Sequence, residues 1–103
     1  MKAIKVQYTV KPEYTEENKK NIQRVMDVLK AKPIEGMQYS SFTDEESPNT
    51  FIHINMAKDD EIMGKLNGLQ EFKDFQQALK ASQPLSPPKA TKLKMVGFGF
   101  DMQ

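Results

Sequence analysis

The 103-residue chain contains no cysteine and no tryptophan, and it has a single histidine, His53, and a single arginine, Arg24. Without cysteine there are no disulfide staples, thiolate nucleophiles, iron–sulfur clusters or sulfur-ligated zinc, so the fold must rest on side-chain packing. Charge of one sign is also missing. Fifteen Lys and Arg against 14 Asp and Glu give a formal charge of +1, too balanced for a chain that binds the phosphate backbone, so no nucleic-acid partner is expected. No apolar run approaches the roughly 18 residues of a membrane span. Lysine and glutamine interrupt the apolar residues at the start of the chain, so there is no apolar segment of a secretory signal. The expectation is a cytoplasmic protein without a membrane partner, folded as one domain over residues 1–103.

What is present reads as alternating strands and amphipathic helices. Over residues 3–10, Ile4, Val6, Tyr8 and Val10 share one parity, and Lys5, Gln7 and Thr9 the other, which predicts a strand with one apolar face. Thr15 followed by Glu16 and Glu17 is an N-cap with acids in the first turn. The helix it opens carries Ile22, Val25, Met26 and Leu29 at i, i+3, i+4 and i+7, and Pro33 with Gly36 ends it. Residues 37–43 form a second, less regular strand. A turn over residues 44–49 leads into the β-rich run 50–56, completing a hairpin. Asp59 or Asp60 caps a further helix, either bent or split near Asn67 and Gly68, whose apolar stripe ends in Phe72, Phe75 and Leu79. The proline-rich residues 83–88 read as a crossing loop, and alternation returns from Ala90 to Phe100.

The order β-α-β-β-α-β is that of an α+β ferredoxin-like fold, a four-stranded antiparallel sheet with two helices on one face. Placing Ile4, Val6, Tyr8, Ile52, Ile54, Leu93 and Met95 toward the helices turns Gln7, Thr9, Phe51, His53, Asn55, Val96, Phe98 and Phe100 outward. Three phenylalanines on that uncovered face predict a homodimer that packs sheet on sheet and leaves the polar members lining a space.

His53 is the side chain whose ordinary pKa lies nearest neutrality, which makes it the natural site of proton transfer. A lone histidine on a strand is more commonly a core residue satisfied by a neighbour, here Asn55 or Thr9. Glu45-Glu46 and Asp59-Asp60 are neighbours in turns and read as solvated, and the seven methionines read as core filling, so no metal site is expected. Gly97-Phe98-Gly99-Phe100 echoes an RNA-recognition signature, but on the wrong strand.

Gly36-Met37-Gln38-Tyr39, the acidic turn at 44–49, the strand Thr50-Phe51-Ile52-His53-Ile54-Asn55, Leu66 and Glu71-Phe72-Lys73-Asp74-Phe75 together resemble the antibiotic-biosynthesis monooxygenase family. The resemblance implies a dimeric α/β barrel and cofactor-independent oxygenation of quinol or polyketide substrates, without metal or flavin. Glu71 stands where that family has histidine, and tryptophan is absent, which sets aside the haem degradation of its relatives. On this reading His53 and Asn55 are the catalytic candidates, and Gln7, Thr9, Tyr39 and Phe51 contact a small aromatic or hydrophobic substrate. The competing reading is a non-catalytic barrel that binds a small ligand or supports an assembly.

Overall fold

The structure, a computed structural model, describes residues 1–99. Strand β1 (Lys2–Thr9) is followed by a 3-10 turn and helix α1 (Thr15–Ala31), then by the hairpin of β2 (Met37–Asp44) and β3 (Ser47–Ala57). A short helix α2 (Asp60–Gly64), a 3-10 turn and helix α3 (Gln70–Ala81) lead to β4 (Ser86–Leu93). The sheet is antiparallel in the order β2-β3-β1-β4, the ferredoxin-like arrangement, with two principal helices against one face. The second helical region is therefore split. Asp59 opens it by accepting from the Ile62 amide at 2.8 Å, and the two glycines fall at the break.

Register decides which residues face the helices, because residues paired across antiparallel strands share a face. Tyr8 pairs with Phe51, Val6 with His53 and Ile4 with Asn55, so Phe51, His53 and Asn55 lie on the helix side. The expectation that β3 turns these three outward is corrected. Their alternates Ile52, Ile54 and Met56 pair with Gln7, Lys5 and Ala3 on the open face. In β3 both parities carry large apolar residues, so alternation alone does not choose the face. The choice goes to the parity that stacks Phe51 on Tyr8, with ring centroids 5.6 Å apart and planes 11° apart. Phe51 is 2% exposed and forms the core with Tyr8, Val10, Ile22, Val25, Leu66, Phe72, Phe75 and Leu79.

Other boundaries also move. The acidic turn is tighter than 44–49: Asp44 pairs with Ser47, and the Asp44 carboxylate accepts from the Glu46 amide at 2.9 Å. Thr15 begins α1 instead of capping it, and its hydroxyl donates to the Asn49 side-chain oxygen at 2.6 Å, tying the helix start to β3. The loop expected over 83–88 gives way to strand at Ser86. β4 lies at the sheet edge, where Pro87 and Pro88 are tolerated, and they fall in the register irregularity between Gln7 and Thr9. The strand ends at Leu93, so Met95, Val96 and Phe98 lie beyond it, while Phe100 falls outside the described residues.

Candidate functional site

A cavity of about 580 Å³ opens between the helix side of the sheet and the region from α2 to β4. Its walls are mostly apolar, with Ile4, Val6, Leu66, Phe72, Phe75 and Leu79 among them. Its polar members divide between two places. Tyr8, Tyr39, His53 and Asn55 come from the sheet, whereas Asn67, Gln76 and Lys80 come from the helical side. A volume of this size, with apolar walls and a few convergent polar groups, fits a small organic molecule.

His53 stands at the centre of the polar group from the sheet. It is 3% exposed, its ring stacks on Tyr8 and Tyr39 with centroids 5.3 and 5.8 Å away, and Phe75 tilts against it at 5.5 Å. Hydroxyl groups occupy both ring nitrogens. The Tyr8 hydroxyl is 2.7 Å from Nε2, and the Ser41 and Tyr39 hydroxyls are 2.6 and 2.9 Å from Nδ1. The Tyr8 hydroxyl also accepts from Nδ2 of Asn18 on α1, at 2.9 Å. The satisfied-core reading of His53 thus has the right form with different partners, since neither Asn55 nor Thr9 contacts the ring by a hydrogen bond; Thr9 bonds Thr50 at 2.8 Å.

Burial governs the electrostatics. Desolvation disfavours the charged imidazolium and lowers the His53 pKa to about 4, so the ring is neutral at physiological pH. The same desolvation raises Tyr8 and Tyr39 well above the ordinary tyrosine value, against smaller opposing effects of hydrogen bonds from Asn18 and Ser41, respectively. Both phenols keep their protons. On its sheet side the site is an uncharged network of hydroxyls, an imidazole and amides. Among the described residues no three His, Cys, Asp or Glu side chains cluster as metal ligands, and no helix is long and apolar enough to cross a membrane.

Of the residues singled out in the sequence, His53, Asn55 and Tyr39 line the cavity. Phe51 lies beneath the helices and stacks on Tyr8 away from the lining. Gln7 and Thr9 occupy the opposite face of the sheet, because they alternate with Val6 and Tyr8. Tyr8, Asn18 and Ser41 were missed. In the sequence Tyr8 counts only toward the apolar face of β1, and Asn18 carries no pattern that singles it out. A buried asparagine beneath an inward tyrosine becomes visible only once α1 is laid on the sheet.

No family model matches the sequence, and no curated protein does. Solved structures do share the fold. A candidate antibiotic biosynthesis monooxygenase from Nitrosomonas europaea superposes with a TM-score of 0.82 at 14% identity, over 94% of this chain and 100% of that one. A similar candidate from Bacteroides thetaiotaomicron gives 0.82 at 14% identity, over 99% of this chain and 95% of that one. A point mutant of SnoaB, a cofactor-independent oxygenase from Streptomyces nogalater, gives 0.71 at 15% identity over 97% of each chain. The resemblance read from the sequence therefore extends to the whole architecture of structures named for antibiotic biosynthesis monooxygenases, and at these identities it speaks for the fold.

Proposed function

We propose that the chain is a cofactor-independent monooxygenase whose cavity takes a small aromatic or otherwise hydrophobic molecule. The carrying observation is the 580 Å³ apolar-walled cavity with neutral His53, Tyr39 and Asn55 on its sheet side. The fold shared with SnoaB, itself a cofactor-independent oxygenase, supports the same reading. Neither metal nor flavin is needed when the substrate supplies the electrons. A methylene made acidic by flanking aryl or carbonyl groups loses a proton, and the carbanion passes an electron to O2. Recombination gives a peroxide that eliminates water. One oxygen atom becomes the new carbonyl and the other leaves in water, so that R2CH2 + O2 gives R2CO + H2O.

His53 and Asn55 are the groups assigned to the reacting end. A ring with a pKa of about 4 is a weak base by itself, but negative charge growing on an adjacent substrate favours its protonated form. Tyr39 and the aromatic pair Phe72 and Phe75, with centroids 5.8 Å apart, position the substrate ring. Oxygen consumption with a panel of quinols and tricyclic polyketide phenols tests the proposal. Wild-type protein treated with chelator should turn over at least one member, and His53→Ala should lose that activity. Turnover unchanged in His53→Ala removes the assigned role, and no uptake across the panel removes the oxygenase.

One observation favours a binding protein without catalysis: both nitrogens of His53 are already engaged by protein hydroxyls. Saturable uptake of the same molecules without oxygen consumption would select that reading.

The proposal includes a homodimer formed through the open face of the sheet. Phe51 is inside the subunit, and other apolar residues build the open face. Phe42 and Leu93 are exposed, and Ile52, Ile54 and Met56 are half-buried on the face opposite the helices. Two such faces stacked about 10 Å apart would cover each other's apolar side chains.

A further inference from the structure

The hydrogen bonds around His53 have a direction, and it can be followed from one end. Nδ2 of Asn18 is a donor only, so the Tyr8 hydroxyl accepts from it at 2.9 Å. That hydroxyl has one proton of its own, and the acceptor within reach is Nε2 of His53 at 2.7 Å. Nε2 therefore carries the lone pair. A neutral imidazole holds one proton, so the proton sits on Nδ1. Nδ1 faces the Ser41 hydroxyl at 2.6 Å and the Tyr39 hydroxyl at 2.9 Å. Donating to Tyr39 makes its oxygen an acceptor directly, and donating to Ser41 does so when the Ser41 hydroxyl passes its own proton on to Tyr39, the direction in which a Ser41 hydrogen bond lowers the Tyr39 pKa. The Tyr39 oxygen is an acceptor within the protein, and its own proton is left for the cavity that Tyr39 lines.

We propose that Asn18 is a positioning residue that sets the polarity of this network, so that Tyr39 presents a hydroxyl proton to the cavity and the site selects ligands bearing a carbonyl or another acceptor oxygen. The reverse polarity would spend the Tyr39 proton on Nδ1 and present an acceptor to the ligand instead. Asn18 is fully buried, its side-chain oxygen has no hydrogen-bond partner among the described residues, and its amide nitrogen is directed at Tyr8. This inference rests on the cavity being a ligand site and names the chemistry of the ligand; it does not require that the ligand be oxidised.

A single histidine makes the test unambiguous, because the long-range 15N–1H spectrum contains one imidazole. At pH 7 the wild-type ring should be the Nδ1–H tautomer. Asn18→Leu keeps an apolar-compatible side chain on the helix and frees the Tyr8 oxygen, so the second tautomer should appear. An Nε2–H ring in the wild type, or a spectrum unchanged in Asn18→Leu, overturns the assignment. Ligand polarity is read with 9-fluorenone and fluorene, which share a flat apolar frame and differ in a carbonyl. The fluorenone C=O stretch should fall below its value in hexane on binding and return to it in Tyr39→Phe. Tyr39→Phe should weaken fluorenone by about tenfold and leave fluorene within about twofold, the scale of one hydrogen bond. An unshifted stretch in the wild type, or equal losses for both probes, refutes the acceptor preference. Fluorenone bound with a lowered stretch while no quinol is oxidised defeats the oxygenase reading and supports this one; quinol turnover with an Nε2–H ring does the opposite.

Discussion

The Tyr8 hydroxyl lies 2.7 Å from Nε2 of His53, although 45 residues separate them in sequence. The antiparallel register of β1 and β3 produces this contact. Tyr8 stands opposite Phe51 and Val6 opposite His53, so Tyr8 and His53 are diagonal neighbours on the same face. A tyrosine is long enough to reach across that diagonal with its hydroxyl while its ring packs on both partners. Core packing and the polar site thus share one residue, and a change at Tyr8 alters both.

That coupling makes Tyr8→Phe a severe change for the removal of one oxygen atom. The ring and its stacking are retained, but the Asn18 amide and His53 Nε2 each lose their hydrogen bond in a buried setting. Leaving two buried polar groups unsatisfied costs roughly 2 to 4 kcal/mol, more than the net value of the bonds themselves. Urea denaturation of the two proteins measures it. A loss below about 0.5 kcal/mol would mean that water or a side-chain shift replaces the hydroxyl.

His53 should make stability depend on pH in a window set by its own titration. Its pKa is lowered from 6.5 in the unfolded chain to about 4 in the fold. Between these values the unfolded state binds more protons, so the contribution is fully present above pH 6.5 and is lost as pH falls toward 4. The loss amounts to roughly 3 kcal/mol. Unfolding free energies at pH 7 and pH 5 should differ in the wild type, and the difference should shrink in His53→Gln. A wild-type protein equally stable at both would require the ring to be charged, or exposed, in the native state.

The succession of elements was legible because it depends on local pattern: the alternation in β1, the spacing of Ile22, Val25, Met26 and Leu29, and the cap at Asp59. The site was legible in its residue types but not in its geometry. His53, Asn55 and Tyr39 are chemically conspicuous, and all three reach the cavity. The face of β3 was illegible for a physical reason. Ile52, Ile54 and Met56 compete with Phe51 for the core, and the choice depends on stacking with Tyr8 and on polar partners for His53 supplied by β1 and β2. Those partners are remote in sequence. Likewise nothing local marks Asn18, whose significance comes only from where α1 crosses Tyr8.

The open face provides a third prediction. Ile54 lies between Lys5 of β1 and Ser40 of β2, central to the surface assigned to the dimer. Ile54→Lys places a charge there, and desolvating an unpaired charge in an interface costs several kcal/mol, enough to dissociate a dimer of micromolar affinity. The side chain points away from the helices, so the subunit should keep its fold. Sedimentation should show a dimer in the wild type and an 11.8 kDa monomer in the variant, with unchanged circular dichroism. A wild-type monomer at tens of micromolar would eliminate the interface.

Ala90 offers a way to close the cavity without touching the network. It lies on β4 opposite Val6, is exposed, and contributes to the cavity wall at the sheet edge. Ala90→Trp adds a large ring there and displaces no core side chain, so stability should change by less than about 1 kcal/mol. Access for a flat ligand should fall, weakening 9-fluorenone at least about tenfold, whereas a ligand adsorbed on the open face of the sheet would not respond. The chain has no tryptophan of its own, so the introduced indole is a unique fluorophore beside the cavity. Its fluorescence should be quenched by whatever ligand still enters. Full-strength fluorenone binding with an unquenched indole would place the ligand elsewhere on the protein, and the functional assignment of the cavity would fall with it.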